Sequence, residues 1–212
     1  MSAALPLLAI VISYVLGSIP TGLWLGQRLR GIDIREHGSK NIGATNTLRV
    51  LGKKLGALAL AGDMAKGLVP VLFGIWLQGY FLREPSEFIL RPLHEYVPLL
   101  CGLAAILGHL FPVFLEFNGG KGVATSTGVY LGLAPIPTIC AAVVFALVVA
   151  ATRMVSAGSL SAAAALAIGV FVLPFSTVLR AITVVIAVLV FVKHRSNLDR
   201  ILRGEESRIG ER

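Results

Sequence analysis

The chain has 212 residues, of which 56% are hydrophobic and only 14% charged, with a mean hydropathy of +0.83. A soluble domain carries about 25% charged residues, so disordered, collagen-like, disulfide-stapled and ordinary water-soluble classes are excluded. The formal net charge is +8, with seven of the 19 basic residues in Arg28–Lys54 and six in Lys193–Arg212. Clusters beside apolar stretches mark the cytoplasmic side of a membrane and meet anionic lipid headgroups, so nucleic acid is not an expected partner.

Taken in chain order, the apolar stretches read as membrane spans. No Asp, Glu, Lys or Arg occurs in Met1–Gln27, Val123–Thr152 or Met154–Leu179, and a span needs roughly 17–25 apolar residues. Backbone polar groups in lipid must be satisfied within the segment, which predicts helices and an all-α polytopic integral membrane protein. Leu5–Gln27 is the first span, and the first charge is Arg28, so the positive n-region of a cleavable signal is missing. The polar segment Arg28–Lys54 follows. Leu55–Leu77 is the second span, interrupted by Asp63 and Lys66, which lie three apart on one helical face and are read as a structural ion pair. Gln78–Glu95 is a loop without basic excess, and Tyr96–Phe117 is the third span. Beyond it, Pro135, Pro137, Arg153 and Pro174 divide the apolar sequence into Val123–Ala134, Thr138–Thr152, Met154–Phe175 and Thr177–Val192. Seven transmembrane helices result, with five as the alternative because Val123–Ala134 is short. The basic excess puts the N-terminus outside and the C-terminus in the cytoplasm. No internal repeat is visible, and one domain covers residues 1–212.

Three polar segments then face the cytoplasm. In Gly38-Ser39-Lys40-Asn41-Ile42-Gly43-Ala44-Thr45-Asn46-Thr47-Leu48-Arg49, glycines let backbone N–H groups approach an oxyanion, and Arg49 can hold a phosphate by two parallel hydrogen bonds. An ordinary polar loop accounts for the same composition. In Gly108-His109 through Asn118-Gly119-Gly120-Lys121-Gly122-Val123, three glycines around a lysine at a helix start suit an anion cradle. A plain glycine turn between spans fits equally. The segment is not a Walker A loop, because Leu115 stands where the first Gly belongs and Gly122 where Ser or Thr would hold magnesium. His109 is an intramembrane ionisable group, of a kind that tends to be functional. In the third, Lys193-His194-Arg195-Ser196-Asn197-Leu198-Asp199-Arg200 with Gly204-Glu205-Glu206, basic residues after a last span read as stop-transfer anchors. His194 and Asp199 spell a His-x4-Asp pair, treated as chance because no Pro-Glu-Gly block follows. Cys101 and Cys140 lie in apolar stretches with no metal-ligand spacing, so neither disulfide nor metal is expected.

The three segments resemble, in order and separation, the signatures of the bacterial acyl-phosphate:glycerol-3-phosphate acyltransferases, as do Asp63-x-x-Lys66-Gly67 and Ser156-x-x-Ser159. The resemblance runs from Leu16 to Glu206. Two positions depart from it: Lys40 where Gly is usual, and Asn118 where Lys is frequent. It implies transfer of a fatty acyl group from acyl phosphate to the 1-hydroxyl of sn-glycerol 3-phosphate, giving lysophosphatidic acid and phosphate, at the bacterial cytoplasmic (inner) membrane. Acyl phosphate is already an activated anhydride, so no cofactor and no obligatory protein partner is implied; the partners are the two substrates and membrane lipids. Positioning and charge stabilisation carry most of such a reaction.

The resemblance gives catalytic roles to Ser39, Arg49, Lys121 and His194. It places Asn41, Asn46, His109, Gly119, Gly120, Gly122, Ser159 and Asn197 with them in substrate binding. Arg49 and Lys121 would neutralise phosphate, Ser39 and Asn197 would orient it or the glycerol hydroxyls, and the three glycines would present backbone donors. His194 and a substrate phosphate stand as alternative acceptors of the hydroxyl proton. Glu206 is read as a structural brace of the tail. A transporter, an acyl-CoA-dependent acyltransferase and a membrane scaffold are the rival readings.

Overall fold

The computed structural model describes residues 4–81 and 94–210. Most of the expected loop Gln78–Glu95 lies outside the described residues, as do the first three residues and the last two. The described residues form ten α-helices and one short 3₁₀ turn: α1 Ala4–Gly17, α2 Thr21–Arg30, α3 Ala44–Leu51, α4 Lys53–Phe81, α5 Val97–Leu110, the 3₁₀ turn Val113–Leu115, α6 Val123–Leu133, α7 Pro135–Thr152, α8 Val155–Val172, α9 Thr177–Lys193 and α10 Arg195–Leu202. The chain divides into two compact units, Met1–Leu133 and Ala134–Arg212.

The all-helical membrane architecture matches the expectation. Four segments are long and apolar enough to cross a bilayer: α4, Val97–Leu115, α7 and α8. Counting each bent pair as one span gives up to six, with α1 and α2 meeting at 48° and α9 and α10 at 59°. The further apolar helix α6 has only 11 residues.

In the first unit, α4 is the spine. Its 29 residues reach about 43 Å at 1.5 Å per residue. Small residues let the other helices approach closely. A methyl group on Gly17 or Gly108 would collide with the α5 or α1 backbone respectively, and one on Gly67 or Gly128 with the α6 or α4 backbone. Ala9, Leu77, Phe81, Val97 and Cys101 form a buried apolar cluster. Phe73, Trp76 and Tyr80 instead project outward from α4 and stack in sequence, with centroids 5.7 and 6.5 Å apart. Amphipathic rings grouped this way suit a membrane–water interface.

The expected first span Leu5–Gln27 is broken. Pro20 has no N–H, so the ladder lapses between Gly17 and Thr21. α2 ends at Gly31, whose φ of +63° lets its N–H return to the Gln27 carbonyl at 3.2 Å, a left-handed cap.

In the second unit, α7 and α8 form an antiparallel hairpin about the turn at Arg153 (φ +62°). Ser176 caps α9 by accepting from the Leu179 N–H at 3.2 Å. Arg180, one turn in, donates to the Leu173 carbonyl at 3.0 Å and lies 5.8 Å from the Phe171 ring centroid. It thereby covers carbonyls at the end of α8 that have no intrahelical partner.

Candidate active site

The first polar segment is organised around one buried side chain. Asn46 is 1% exposed. Its amide nitrogen donates to the carbonyls of Ile34, Asn41 and His37 at 2.7, 2.9 and 3.1 Å, while its Oδ1 accepts from the Ser39 N–H at 2.8 Å. Asn41 Oδ1 accepts from the Gly43 N–H at 2.9 Å, an Asx turn that leads into α3. Beneath lie Leu23, Ile34 and Ile42, buried together with Val50, Leu51 and Leu115 against them. The loop is therefore a folded object with Ser39 exposed on its outside and Arg49 exposed on α3. Among the described residues no ion pair engages Arg49. Asn46 is occupied at both ends by the loop itself, as the scaffold that holds the Ser39 backbone.

Two positions in this loop have left-handed backbone: Gly38 at φ +60° and Lys40 at +57°. Glycine adopts that region without penalty, whereas a side chain costs about 1–2 kcal/mol. The departure at Lys40 thus has a backbone consequence that its charge alone does not suggest. Nearby, Arg35 hydrogen-bonds and pairs with Asp33 at 2.6 Å, holding the Asp33 carboxyl at about 2.

The second polar segment packs on the end of α5. Gly120 donates its N–H to the His109 carbonyl at 3.1 Å, and a methyl group on it would collide with the His109 ring. A methyl on Gly119 would strike the His109 and Leu110 carbonyls. The donor expected of Gly120 is thus taken up within the turn, and these two glycines are required for close approach. Gly122, at φ +82°, turns the chain into α6. Lys121 between them is half-buried. Leu115 belongs to the cluster under Ile42, and Phe114 meets Trp24 with ring centroids 5.8 Å apart. The two polar segments of this unit therefore share one end of it.

The Asp63–Lys66 pair is present as expected, at 2.8 Å and almost wholly buried. The sequence did not reveal its other contacts. Lys66 Nζ donates to the Ile19 carbonyl at 2.6 Å, inside the break between α1 and α2. His109 Nδ1 lies 4.0 Å from the same Asp63 oxygen.

In the second unit Glu206 is the hub. Ser156 Oγ and Asn197 Nδ2 donate to its Oε1, both at 2.6 Å, and Arg200 Nε donates to its Oε2 at 2.7 Å. Burial pushes the carboxyl up, but these three donors and the Arg200 charge outweigh it and hold it below the ordinary range. The brace expected of Glu206 is present, and it engages Asn197. His194 stands at the bend between α9 and α10, 3% exposed, with Nδ1 2.8 Å from the Val190 carbonyl. A carbonyl can only accept, so Nδ1 carries the proton and a neutral ring has its lone pair on Nε2. Ser159 donates back to the Val155 carbonyl at 2.9 Å and keeps its oxygen as an acceptor. The tail is tied down again where Arg153 donates to the Ile209 carbonyl at 2.6 and 3.0 Å and the Ile209 N–H returns to the Arg153 carbonyl at 2.8 Å.

Comparison with known proteins identifies the family. Residues 7–204 match the family model described as glycerol-3-phosphate acyltransferase. A glycerol-3-phosphate acyltransferase of Trichlorobacter lovleyi is 49% identical over 196 residues, covering 92% of this chain and 93% of the relative. One from Geobacter sulfurreducens is 45% identical over 204 residues, covering 95% and 96%. The crystal structure of PlsY, an integral membrane glycerol 3-phosphate acyltransferase, in its glycerol 3-phosphate form superposes with a TM-score of 0.84 at 34% identity, covering 97% of this chain and 96% of that one. The lysophosphatidic acid form gives 0.82. With all-helical units, apolar spans and a match over nearly its whole length, this chain belongs to the glycerol-3-phosphate acyltransferase family of integral membrane enzymes.

Proposed function

We propose that this chain, acting as one acyltransferase domain, transfers a fatty acyl group from acyl phosphate to the 1-hydroxyl of sn-glycerol 3-phosphate. The hydroxyl oxygen attacks the acyl carbonyl carbon, the carbon–oxygen bond to phosphate breaks, and lysophosphatidic acid and inorganic phosphate leave. The observation that carries this reading is the shared packing of the two polar segments of the first unit, which brings the anion-suited loops of Arg49 and Lys121 to one end. Solved relatives in glycerol 3-phosphate and lysophosphatidic acid forms supply a substrate and a product of the same chemistry. The acyl-phosphate donor is supported by the signature pattern and the missing Pro-Glu-Gly block.

Arg49 and Lys121 neutralise phosphate, with Ser39 and Asn197 orienting it. Asn41, Asn46, His109, Gly119, Gly120 and Gly122 shape the loops around it, and Ser159 offers an acceptor to a substrate hydroxyl. The proton of the attacking hydroxyl passes to His194 Nε2, a role favoured by the Nδ1–Val190 hydrogen bond. The chain spans the bacterial inner membrane seven times, with α6 as the shortest crossing, the N-terminus outside and the site facing the cytoplasm. Neither a cofactor nor a protein partner enters the reaction.

Purified enzyme given radiolabelled glycerol 3-phosphate with acyl phosphate, acyl-CoA or acyl carrier protein in parallel tests the donor. Efficient turnover is expected with acyl phosphate alone, and equal turnover with acyl-CoA overturns the reading. Single cysteines at Ala4 and Ser207, in a background lacking Cys101 and Cys140, test the topology by labelling from opposite sides of the membrane.

A further inference from the structure

A buried ion pair inside an apolar span is expensive and calls for a task. Asp63 and Lys66 are 1% and 8% exposed. Part of that task is plain: Lys66 donates to the Ile19 carbonyl at 2.6 Å, an acceptor released by the break between α1 and α2. A neutral donor could serve that carbonyl, so the break does not account for the carboxylate. The Asp63 oxygen that holds Lys66 also faces His109 Nδ1 at 4.0 Å, an electrostatic contact too long for a hydrogen bond. The opposite side of that ring lies hard against Gly120, where even a methyl group would collide with Nε2. Gly120 in turn donates its N–H to the His109 carbonyl at 3.1 Å, and Lys121 is the next residue.

We propose that Asp63 is a positioning residue for the acyl transfer: it fixes the His109 ring, and through that ring the path of Gly120 and the aim of Lys121. The inference rests on the reading of Lys121 as a phosphate ligand. Asp63 itself lies in the span and does not reach substrate. Its charge sets the ring, the ring sets the turn, and the turn presents the ammonium.

The test is a kinetic cycle on purified, folded enzyme with Asp63→Asn, Lys121→Ala and the double variant. Misplacing a binding group by a fraction of an ångström is expected to raise the KM for glycerol 3-phosphate about tenfold, with a smaller change in kcat. The double variant should show no KM increase beyond Lys121→Ala, because both changes act through one contact. Should Asp63→Asn fail to fold, Asp63→Asn/Lys66→Gln, which leaves no lone buried charge, takes its place in the cycle. A KM unchanged by the Asp63 variants while Lys121→Ala raises it overturns this inference alone. Additive effects in the double variant overturn it as well. If Lys121→Ala leaves KM unchanged, the phosphate-ligand reading falls, and the inference with it.

Discussion

Asp63 in the first unit and Glu206 in the second are both almost wholly buried carboxylates, yet their surroundings differ. Asp63 sits in the middle of a membrane-length helix with one cation, Lys66, which it shares with the Ile19 carbonyl. Glu206 sits beyond the last helix and gathers three donors, one each from Ser156, Asn197 and Arg200, the last partly open to water. The first arrangement is a minimal pair whose members cannot be separated without stranding a charge in an apolar span. The second is a distributed network in which each donor carries part of the load. Buried charge thus ties separate stretches of chain together in both units, but with different tolerance to loss.

That contrast is broken most sharply at Asp63. Asp63→Ala leaves Lys66 as a lone buried ammonium, and removing one partner of a buried pair costs about 3–5 kcal/mol. Thermal unfolding in detergent should show the largest loss of any variant considered, and Asp63→Ala/Lys66→Met should recover most of it. A single variant as stable as the parent would mean that Lys66 finds water or another acceptor.

Arginines sharpen the comparison next. Arg49 is exposed and in no ion pair among the described residues, whereas Arg200 is held by Glu206. Arg49→Ala should therefore lower catalytic efficiency ten- to hundredfold, the equivalent of about 1.5–3 kcal/mol for a charge-assisted contact, with unfolding unchanged. Arg49→Lys should recover little, since an ammonium lacks the planar two-point grip. If steady-state kinetics of Arg49→Ala match the parent, the first loop is not the phosphate site.

Glu206 gives a pH dependence with a defined sign. Its folded carboxyl titrates below its ordinary value of 4.5, so its contribution is complete above that pH and is lost as pH falls through the lowered value. Asp33, held at about 2 by Arg35 against an ordinary 3.8, keeps its full contribution above 3.8 and loses it as pH falls through about 2. Glu206→Gln presents an amide N–H₂ to donors and should cost about 2 kcal/mol at pH 7. Unfolding profiles of parent and variant should converge as pH falls below 4.5. Parallel profiles would show that the charge contributes nothing.

Much of this architecture was legible because its signals are long. Long apolar stretches pointed to membrane-length helices, and the Asp63–Lys66 spacing to a buried pair within one of them. The short elements were not legible. α3 and α10 are eight residues each, too short to nucleate alone, and they form because packing pins them. In sequence α3 accordingly looks like part of a polar loop and α10 like part of a basic tail. The break at Pro20 was masked by the absence of charge on either side. In the site, residue types pointed to phosphate chemistry, but the task of each residue depended on partners that spacing does not specify. Asn46 reads as a ligand in sequence, while its hydrogen bonds reach backbone atoms five to twelve residues away in an irregular loop. Gly120 reads as a free donor, while its N–H belongs to His109.

The smallest expected effect isolates backbone from charge in the loop that Asn46 organises. Lys40 holds a left-handed conformation at φ +57°, which costs a residue with a Cβ about 1–2 kcal/mol. Glycine removes that strain but gains freedom in the unfolded chain worth about 0.5–1 kcal/mol, so Lys40→Gly should stabilise by less than about 1 kcal/mol. Alanine keeps the Cβ, so Lys40→Ala should show no comparable gain. Thermal unfolding of the two variants beside the parent makes the measurement, with the KM for glycerol 3-phosphate as its companion. A gain in Lys40→Ala equal to that in Lys40→Gly would place the effect in the ammonium rather than in the backbone. A gain confined to Lys40→Gly, with KM unmoved in both, would assign it to φ and leave phosphate recognition to Arg49 and Lys121.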